Sequence, residues 1–336
     1  MQGNNWSSRF LKIHQGSVMG ISFHPKDRYI FCSGASDGKV NIYSAKKCQF
    51  LQSYPVRTAG LARNINAVRF TCEGNKILVT NTARRLVVID VERGDQELCY
   101  DNCAFNGRDR AALAADPVSP NMVVCSYVNG KGLTLFDLRM PIPLDFLYDV
   151  HDGTIHDIIF LQESWPWGHG ERSMVTVGSD GLCKVSTLDG RRLHVIEGEQ
   201  PLNSVAATPE VYNSSRDDGF TSLLTLGGST VASYAPDTGL RETLTENKSA
   251  AILKLRYSTH GSILYTVCEC GVLRRYRRWP DRHVYLNDAL HHKSDIEDFD
   301  ISPYDEYLVT ASKDRTIGVV HLGGPNHGTS EYSELT

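Results

Sequence analysis

Hydrophobic and polar residues alternate in short runs along most of the chain, and polar turns separate the runs. In the segment "SGASDGKVNI" at residues 33–42, for example, Val40 and Ile42 follow the turn two residues apart. A period of two is typical of β-strands, and two such runs around a short polar turn predict a β-hairpin. The pattern therefore predicts an all-β protein.

Three of the turns share one sequence pattern. Asp37, Asp180 and Asp314 each follow a Ser or Thr by four residues, and hydrophobic residues stand three and five positions after each aspartate. A histidine precedes each copy, so that the copies contain the sets His14, Ser33 and Asp37; His151, Thr176 and Asp180; and His292, Thr310 and Asp314. The same sequence unit is thus repeated along the chain.

Weaker copies fill the intervals between these three. The first strand of each copy is predicted to begin near residue 18, 65, 111, 155, 202, 252 or 296. The spacing of about 44–50 residues corresponds to one four-stranded unit per copy. Seven units fit the length of the chain.

These copies resemble the repeats of the WD40 β-propeller family. Phe136-Asp137 and, more loosely, Ile89-Asp90 stand where the family has Trp-Asp, whereas the Gly before each histidine is missing. The resemblance implies a single seven-bladed propeller over residues 1–322, followed by a short tail at 323–336 that we expect to be disordered. The last copy supplies three strands, and we expect "RFLKI" at 9–13 to add the fourth and remove an open edge.

The resemblance also implies a role for the three repeated sets. In the family the histidine, the hydroxyl residue and the turn aspartate form a hydrogen-bonded network inside a blade. Buried polar groups of this kind have to be satisfied. We expect blades 1, 4 and 7 to keep this network and the other blades to rely on packing.

Composition and charge narrow the class of protein. Of the 336 residues 41% are hydrophobic and 22% are charged, with a formal net charge of −4, so the whole molecule does not attract polyanions. Its sequence contains neither an apolar run of the roughly 18–20 residues that cross a bilayer nor a secretory signal. The nine cysteines are scattered, and we expect free thiols and a cytoplasmic and/or nuclear location, without a membrane.

One motif raises the question of catalysis. The turn "GASDG" fits G-x-S-x-G, the pattern that presents a nucleophilic serine between a strand and a helix. The equivalents of Ser36 in the other copies are Ser179 and Lys313, and a strand is predicted after each turn. Together with the lack of nucleotide, metal and protease motifs, this favours a structural turn. The sequence predicts no enzyme, no cofactor and no metal site.

Three features are candidates for partner binding. The insertion "ESWPWGHGER" carries Trp165 and Trp167, which either fold back on the blade or form a contact site. The segment "RRYRRW" at 274–279 could bind RNA phosphates, or it could be an outer strand with its arginines in solvent. Its candidate residues are Arg274, Arg275, Arg277, Arg278 and Trp279.

The third candidate is Arg139, at the end of Phe136-Asp137-Leu138-Arg139. This ending is similar to the W-D-x-R motif by which some family members dock on the DDB1 adaptor of cullin-4 ubiquitin ligases. We therefore expect a non-enzymatic protein-interaction scaffold. The alternatives are a substrate receptor of such a ligase and an RNA- or chromatin-associated propeller that uses the basic segment.

Overall fold

The computed structural model describes residues 8–56, 64–105, 112–198, 201–209, 221–244 and 250–323. These residues form seven four-stranded antiparallel sheets, arranged as the blades of a ring. The predicted all-β, seven-bladed propeller is confirmed. The predicted tail lies outside the described residues from 324 onwards, as does the polar insertion at 212–220.

The strands are numbered in chain order, and each sheet is named as a blade from the channel outwards. Blade 1 contains β2 (Val18–Phe23), β3 (Ile30–Ala35), β4 (Lys39–Ser44) and β5 (Gln49–Pro55). Blade 2 contains β6 (Ile65–Phe70), β7 (Lys76–Asn81), β8 (Arg85–Asp90) and β9 (Asp95–Tyr100). Blade 3 contains β10 (Leu113–Ala115), β11 (Met122–Ser126), β12 (Leu133–Asp137) and β13 (Asp145–Leu147).

The remaining blades follow the same order. Blade 4 contains β14 (Ile155–Leu161), β15 (Ser173–Gly178), β16 (Leu182–Thr187) and β17 (Arg192–Glu197), with one 3₁₀ turn at Pro166–Gly168 between β14 and β15. Blade 5 contains β18 (Ser204–Ala207), β19 (Leu224–Gly227), β20 (Val231–Ala235) and β21 (Gly239–Leu244). Blade 6 contains β22 (Ile252–Tyr257), β23 (Ile263–Cys268), β24 (Val272–Arg278) and β25 (His283–His291).

Blade 7 joins the two ends of the chain. It contains β26 (Ile296–Ile301), β27 (Tyr307–Ser312), β28 (Ile317–His321) and, as its outer strand, β1 (Ser8–Leu11). The register runs from Ser8 opposite Val320 to Leu11 opposite Ile317. The predicted closure by the N-terminal segment is therefore confirmed, and β28 has no unpaired edge.

Antiparallel strands give the ring two distinct faces. The upper face carries the connections between blades and the turns between second and third strands, including the turn at Asp37. The lower face carries the loops between first and second strands and between third and fourth strands. The first strands of neighbouring blades contact one another around a central channel.

The core lies between the blades, because each sheet is covered on both faces by its neighbours. The first three strands of a blade are accordingly almost continuously buried, as in β7 and β8, and read as unbroken hydrophobic runs. The outer strands alternate between exposed and buried positions, as β9 does. The interblade clusters are apolar, with Val40 and Ile42 of blade 1 packed with Val68 and Ile77 of blade 2.

Two expectations from the sequence are wrong. The basic segment at 274–279 is not an outer strand, because the chain turns after Arg278 and β25 covers β24. Cys268 and Cys270 are not free thiols but form a disulfide across the turn between β23 and β24. Seven other cysteines are free.

Candidate interaction surface on the lower face

The residues of each repeated set lie together at the upper end of one blade, in blades 1, 4 and 7. His151 Nδ1 lies 3.0 Å from Asp180, and its Nε2 lies 2.8 Å from Thr176 Oγ1. The corresponding distances from the histidine are 2.9 and 2.8 Å in blade 1 and 3.0 and 2.7 Å in blade 7. All three histidines are buried, in the sets His14, Asp37 and Ser33; His151, Asp180 and Thr176; and His292, Asp314 and Thr310.

The geometry suits a neutral imidazole whose Nδ1–H donates to the carboxylate and whose Nε2 accepts from the hydroxyl. Burial lowers the pKa of His151 and of His292, against the opposing effect of the paired aspartates. Burial would raise the pKa of Asp314, but hydrogen bonds from Thr316 and from the Lys293 amide outweigh it and lower that pKa to about 2. Each network therefore stabilises its turn from inside the blade, and its members hydrogen-bond to one another.

The "GASDG" turn carries no catalytic geometry. Ser36 donates its amide to Ser17, Gly38 adopts a φ of +77°, and strand β4 begins at Lys39. A nucleophile elbow requires a helix after the serine. Asp37 instead accepts the amides of Gln15 and Lys39, which ties the turn to the connection before blade 1.

The two tryptophans of the insertion fold back on blade 4. Trp165 is 2% exposed, and Trp167 stacks on His194 with their ring centres 4.5 Å apart. Both join the core cluster of this blade, where Ser186 stands at the position of the aromatic Tyr43 in blade 1. Of the two alternatives for these indoles, the structure shows burial, and they offer no contact surface.

The arginines of the basic segment are engaged within the blade. Arg278 is buried and donates to the carbonyl of Thr221, and Arg274 lies 3.5 Å from Asp288. Arg275 lies over the ring of Tyr265, and Arg277 is half-buried opposite Val284 of β25. Trp279, in the turn after β24, is the exposed aromatic side chain of this segment. The geometry does not present the row of solvent-facing arginines that phosphate binding needs.

Arg139 is exposed on the lower face of blade 3. Its side chain is 73% exposed and makes a two-pronged contact with Asp137, with Nε 2.9 Å from Oδ1 and Nη2 2.5 Å from Oδ2. This contact lowers the pKa of Asp137 to about 2. The guanidinium is thus held in one orientation at the start of the loop between β12 and β13.

Exposed apolar side chains lie on the same lower-face loops of blade 3 as this arginine. The loop "RMPIPL" at 139–144 presents Met140, Ile142 and Leu144 to solvent, and Ile142 is 63% exposed. Val118, 81% exposed, lies on the lower-face loop between β10 and β11 of the same blade. We call these residues the blade-3 patch: Val118, Arg139, Met140, Ile142 and Leu144.

Hydrogen bonds from blades 2 and 3 hold the loop that carries the patch. The hydroxyl of Tyr100 in blade 2 donates to the carbonyl of Met140 at 2.8 Å, and Leu144 donates its amide to Leu135. Pro141 and Pro143 remove two backbone donors, so the loop is a poor partner for edge-to-edge strand pairing. Apart from Arg139, sequence reasoning missed this patch, although an apolar run interrupted by prolines was a visible signal.

The comparison with protein families agrees with the ring of blades. The family model described as "WD domain, G-beta repeat" matches residues 6–44 and 286–320, at the two ends of the chain that meet in blades 1 and 7. The chain is a WD40-repeat β-propeller. No curated protein sequence matches it. WD40 propellers are in general protein-interaction scaffolds and typically lack enzymatic activity.

The central channel of this WD40 propeller is crossed by two ion pairs. Lys254 in blade 6 reaches Asp157 in blade 4 at 2.6 Å, and Arg69 in blade 2 reaches Asp298 in blade 7 at 2.7 Å. Each pair skips the blade between its two partners. Within the described part of the chain, no helix is long and apolar enough to cross a membrane.

Proposed function

We propose that this WD40 propeller is a non-enzymatic scaffold or adaptor subunit that docks a protein partner on the blade-3 patch. The proposal rests on the four exposed apolar side chains that, with Arg139, lie on the lower-face loops of one blade. The proposal includes action in the cytoplasm and/or the nucleus, which the seven free cysteines suit and the Cys268–Cys270 disulfide does not.

The composition of the patch fits a docking site better than an ordinary surface. Soluble proteins seldom group exposed apolar side chains, and Met and Arg are enriched in protein interfaces. Burying the exposed part of a side chain such as Ile142 or Leu144 against a partner contributes on the order of 1 kcal/mol. Because Asp137 already holds Arg139 in place, little side-chain entropy is lost when a partner carboxylate or carbonyl meets the guanidinium.

The test compares partner recovery by matched variants. The double variant Ile142→Ser, Leu144→Ser should lose a stoichiometric partner that the natural chain retains in affinity purification. Leu240→Ser, which removes another exposed leucine from blade 5, is the control and should retain it. Retention of every partner by the double variant, with an unchanged melting temperature, would place the docking site elsewhere.

A substrate receptor of a cullin-4 ubiquitin ligase is the second candidate. Phe136-Asp137-Leu138-Arg139 ends in an exposed, oriented arginine, which is the feature that favours it. Phe136 replaces Trp or Tyr of the family motif, and Asn129 replaces its Asp. Co-purification with the DDB1 adaptor should be lost in Arg139→Ala and kept in Arg93→Ala, an exposed lower-face arginine of blade 2. An absence of association in the natural chain would remove this candidate.

A further inference from the structure

The lower half of the central channel contains a pocket of about 250 Å³. The first strands of blades 2 to 6 line it, and the small side chains of Ala114 and Ala115 leave room on the blade-3 side. Leu113, Ile159 and Phe160 provide apolar walls. Pro117 also lines the pocket and precedes Val118, so the pocket adjoins the blade-3 patch.

The charged groups of the pocket are mostly satisfied by one another. Among its lining residues Arg69, Lys254 and Arg256 are cationic, whereas Asp157 is the anionic one. Asp157 accepts from Lys254 and the Ile158 amide on one oxygen and from Ser204 and the Val205 amide on the other. Its four acceptor positions are therefore filled.

Arg69 is likewise engaged. Its Nη1 donates to the carbonyls of Ile21 and Val68 and to Asp298, at 2.7–3.0 Å. The neighbouring carboxylate raises the pKa of this guanidinium despite the burial that opposes it. Arg69 and Lys254 are thus parts of the ring that holds the blades together.

Arg256 differs from these two cations. Its Nε donates to the carbonyl of Phe299 at 3.0 Å, and its two Nη atoms have no hydrogen-bond partner among the described residues. The nearest carboxylate, Asp300, lies 3.8 Å from Nε and accepts the amides of Phe23 and Ile301. The side chain is 29% exposed, so its terminal donors remain accessible from the lower mouth of the channel.

We propose that this pocket receives the carboxylate of an aspartate or glutamate from an extended segment of a partner protein. A carboxylate accepts two parallel hydrogen bonds from the Nη groups of an arginine, and such charge-assisted pairs are the strong ones. The Nη donors of Arg256 complement an acidic side chain, and the apolar walls fit its aliphatic neighbours. The inference rests on the proposed function, since its occupant belongs to a docked protein.

The test uses a displayed library of short random peptides as the probe. Selection on the immobilised natural chain should enrich peptides with Asp or Glu at one position. For a labelled peptide from this set, Arg256→Gln should weaken binding about tenfold or more, because one charge-assisted pair is lost. Arg93→Gln, at an exposed lower-face arginine, should leave the affinity unchanged.

A reversal of charge separates recognition from folding. Arg256→Glu should reject the acidic peptide and bind a version whose acidic residue is replaced by lysine, and a thermal melt of each variant checks its fold. Enriched peptides without an acidic residue, or equal binding by Arg256→Gln, would overturn the inference. So would a gain in peptide affinity when residues 324–336 are removed, which would assign the pocket to that segment.

The outcome is distinguishable from a failure of the proposed function. The double variant Ile142→Ser, Leu144→Ser leaves the charges of the pocket intact. If this variant loses the stoichiometric partner while Arg256→Gln retains it and the peptide affinity of Arg256→Gln is unchanged, the docking surface stands and the inference about the pocket is overturned.

Discussion

The upper-face turn between the second and third strands is stabilised by different groups in blades 1, 4 and 7 than in blades 2, 3 and 6. The turn itself is the same, since Gly38 and Gly181 have φ values of +77° and +79° and the equivalent Gly130 and Gly271 have +76° and +75°. A turn with a residue in the left-handed region leaves backbone amides that need acceptors. The backbone is thus preserved, while the groups that satisfy it vary.

In blades 1, 4 and 7 the turn aspartate accepts at least three hydrogen bonds, as blade 4 shows. Asp180 accepts the turn amide of Leu182, the amide of Asp152 in the connection between blades, and the Nδ1–H of His151. In blades 2, 3 and 6 the groups that stabilise the turn belong to the turn itself. Asn81 of blade 2 accepts the amides of Ala83 and Arg85 in its own turn.

Blades 3 and 6 also have local supports. Asn129 accepts the amides of Lys131 and Gly132, and a disulfide between Cys268 and Cys270 closes the turn of blade 6. The difference teaches that the repeat pattern marks turns tied to neighbouring structure, and that a turn can keep its shape without it.

The largest loss of stability is expected from removing the aspartate of a turn that is tied to the connection between blades. Asp180→Ala leaves His151 and two amides without their acceptor, and we expect a loss of about 1–3 kcal/mol in the free energy of unfolding. Denaturant unfolding measures it. Asn81→Ala, in a local turn, is the matched control and should cost less; equal losses would show that the tie to the blade connection adds no stability.

The turn of blade 6 offers the next largest effect. Reduction of the Cys268–Cys270 disulfide should lower the free energy of unfolding by about 1–2 kcal/mol, because a covalent constraint on the unfolded chain is removed. Unfolding with and without a reductant measures the change. The double variant Cys268→Ala, Cys270→Ala should be insensitive to the reductant. A natural chain that is equally insensitive would mean that the disulfide contributes nothing.

The same contrast explains what the sequence could predict. Period-two runs and three copies of a turn around Asp37, Asp180 and Asp314 indicated the blades, because both signals are local. The closure strand followed from the missing fourth strand of the last copy. The blades depend on residues close in sequence. The closing strand pairs Ser8 with Val320 at the other end of the chain, and it was predictable only because the repeat pattern left one strand missing.

Other features depend on the closed ring. Lys254 and Asp157 are 97 residues apart and Arg69 and Asp298 are 229 apart, so their pairing follows only once the blades surround a channel. Trp167 stacks on His194 of the outer strand of its blade, and this contact forms only once the blade is assembled. Neither the ion pairs across the channel nor the packing of Trp167 can be predicted from a local sequence pattern.

Mild acid should act on the tied turns and spare the local ones. Burial lowers the pKa of His151 and of His292, so the unfolded chain takes up protons first as the pH falls below about 6.5. The stabilisation is complete above that pH and declines as the pH falls through the folded-state pKa values. Because the pKa values of Asp180 and Asp314 lie below those of free carboxylates, the range above about pH 5 reports on the histidines.

Unfolding experiments across pH 5–8 measure this decline. The variant His151→Asn removes one titrating group, so its stability should change less steeply with pH than that of the natural chain. The comparison concerns the slope and not the absolute stability, which the substitution also lowers. An identical slope would show that His151 takes up its proton equally in the folded and unfolded chains.

The smallest expected effect tests whether the aspartate alone makes a tied turn. Asn129→Asp installs the family residue in blade 3, but Asn129 also donates its Nδ2–H to the carbonyl of Tyr148 at 3.0 Å. A carboxylate cannot donate there and would face that carbonyl, so we expect a loss of up to about 1 kcal/mol in the free energy of unfolding instead of a gain. Asn129→Ser is the control that removes the amide without adding charge. A stabilised Asn129→Asp would mean that the aspartate needs no histidine, and the distinction between tied and local turns would then lie in the turn alone.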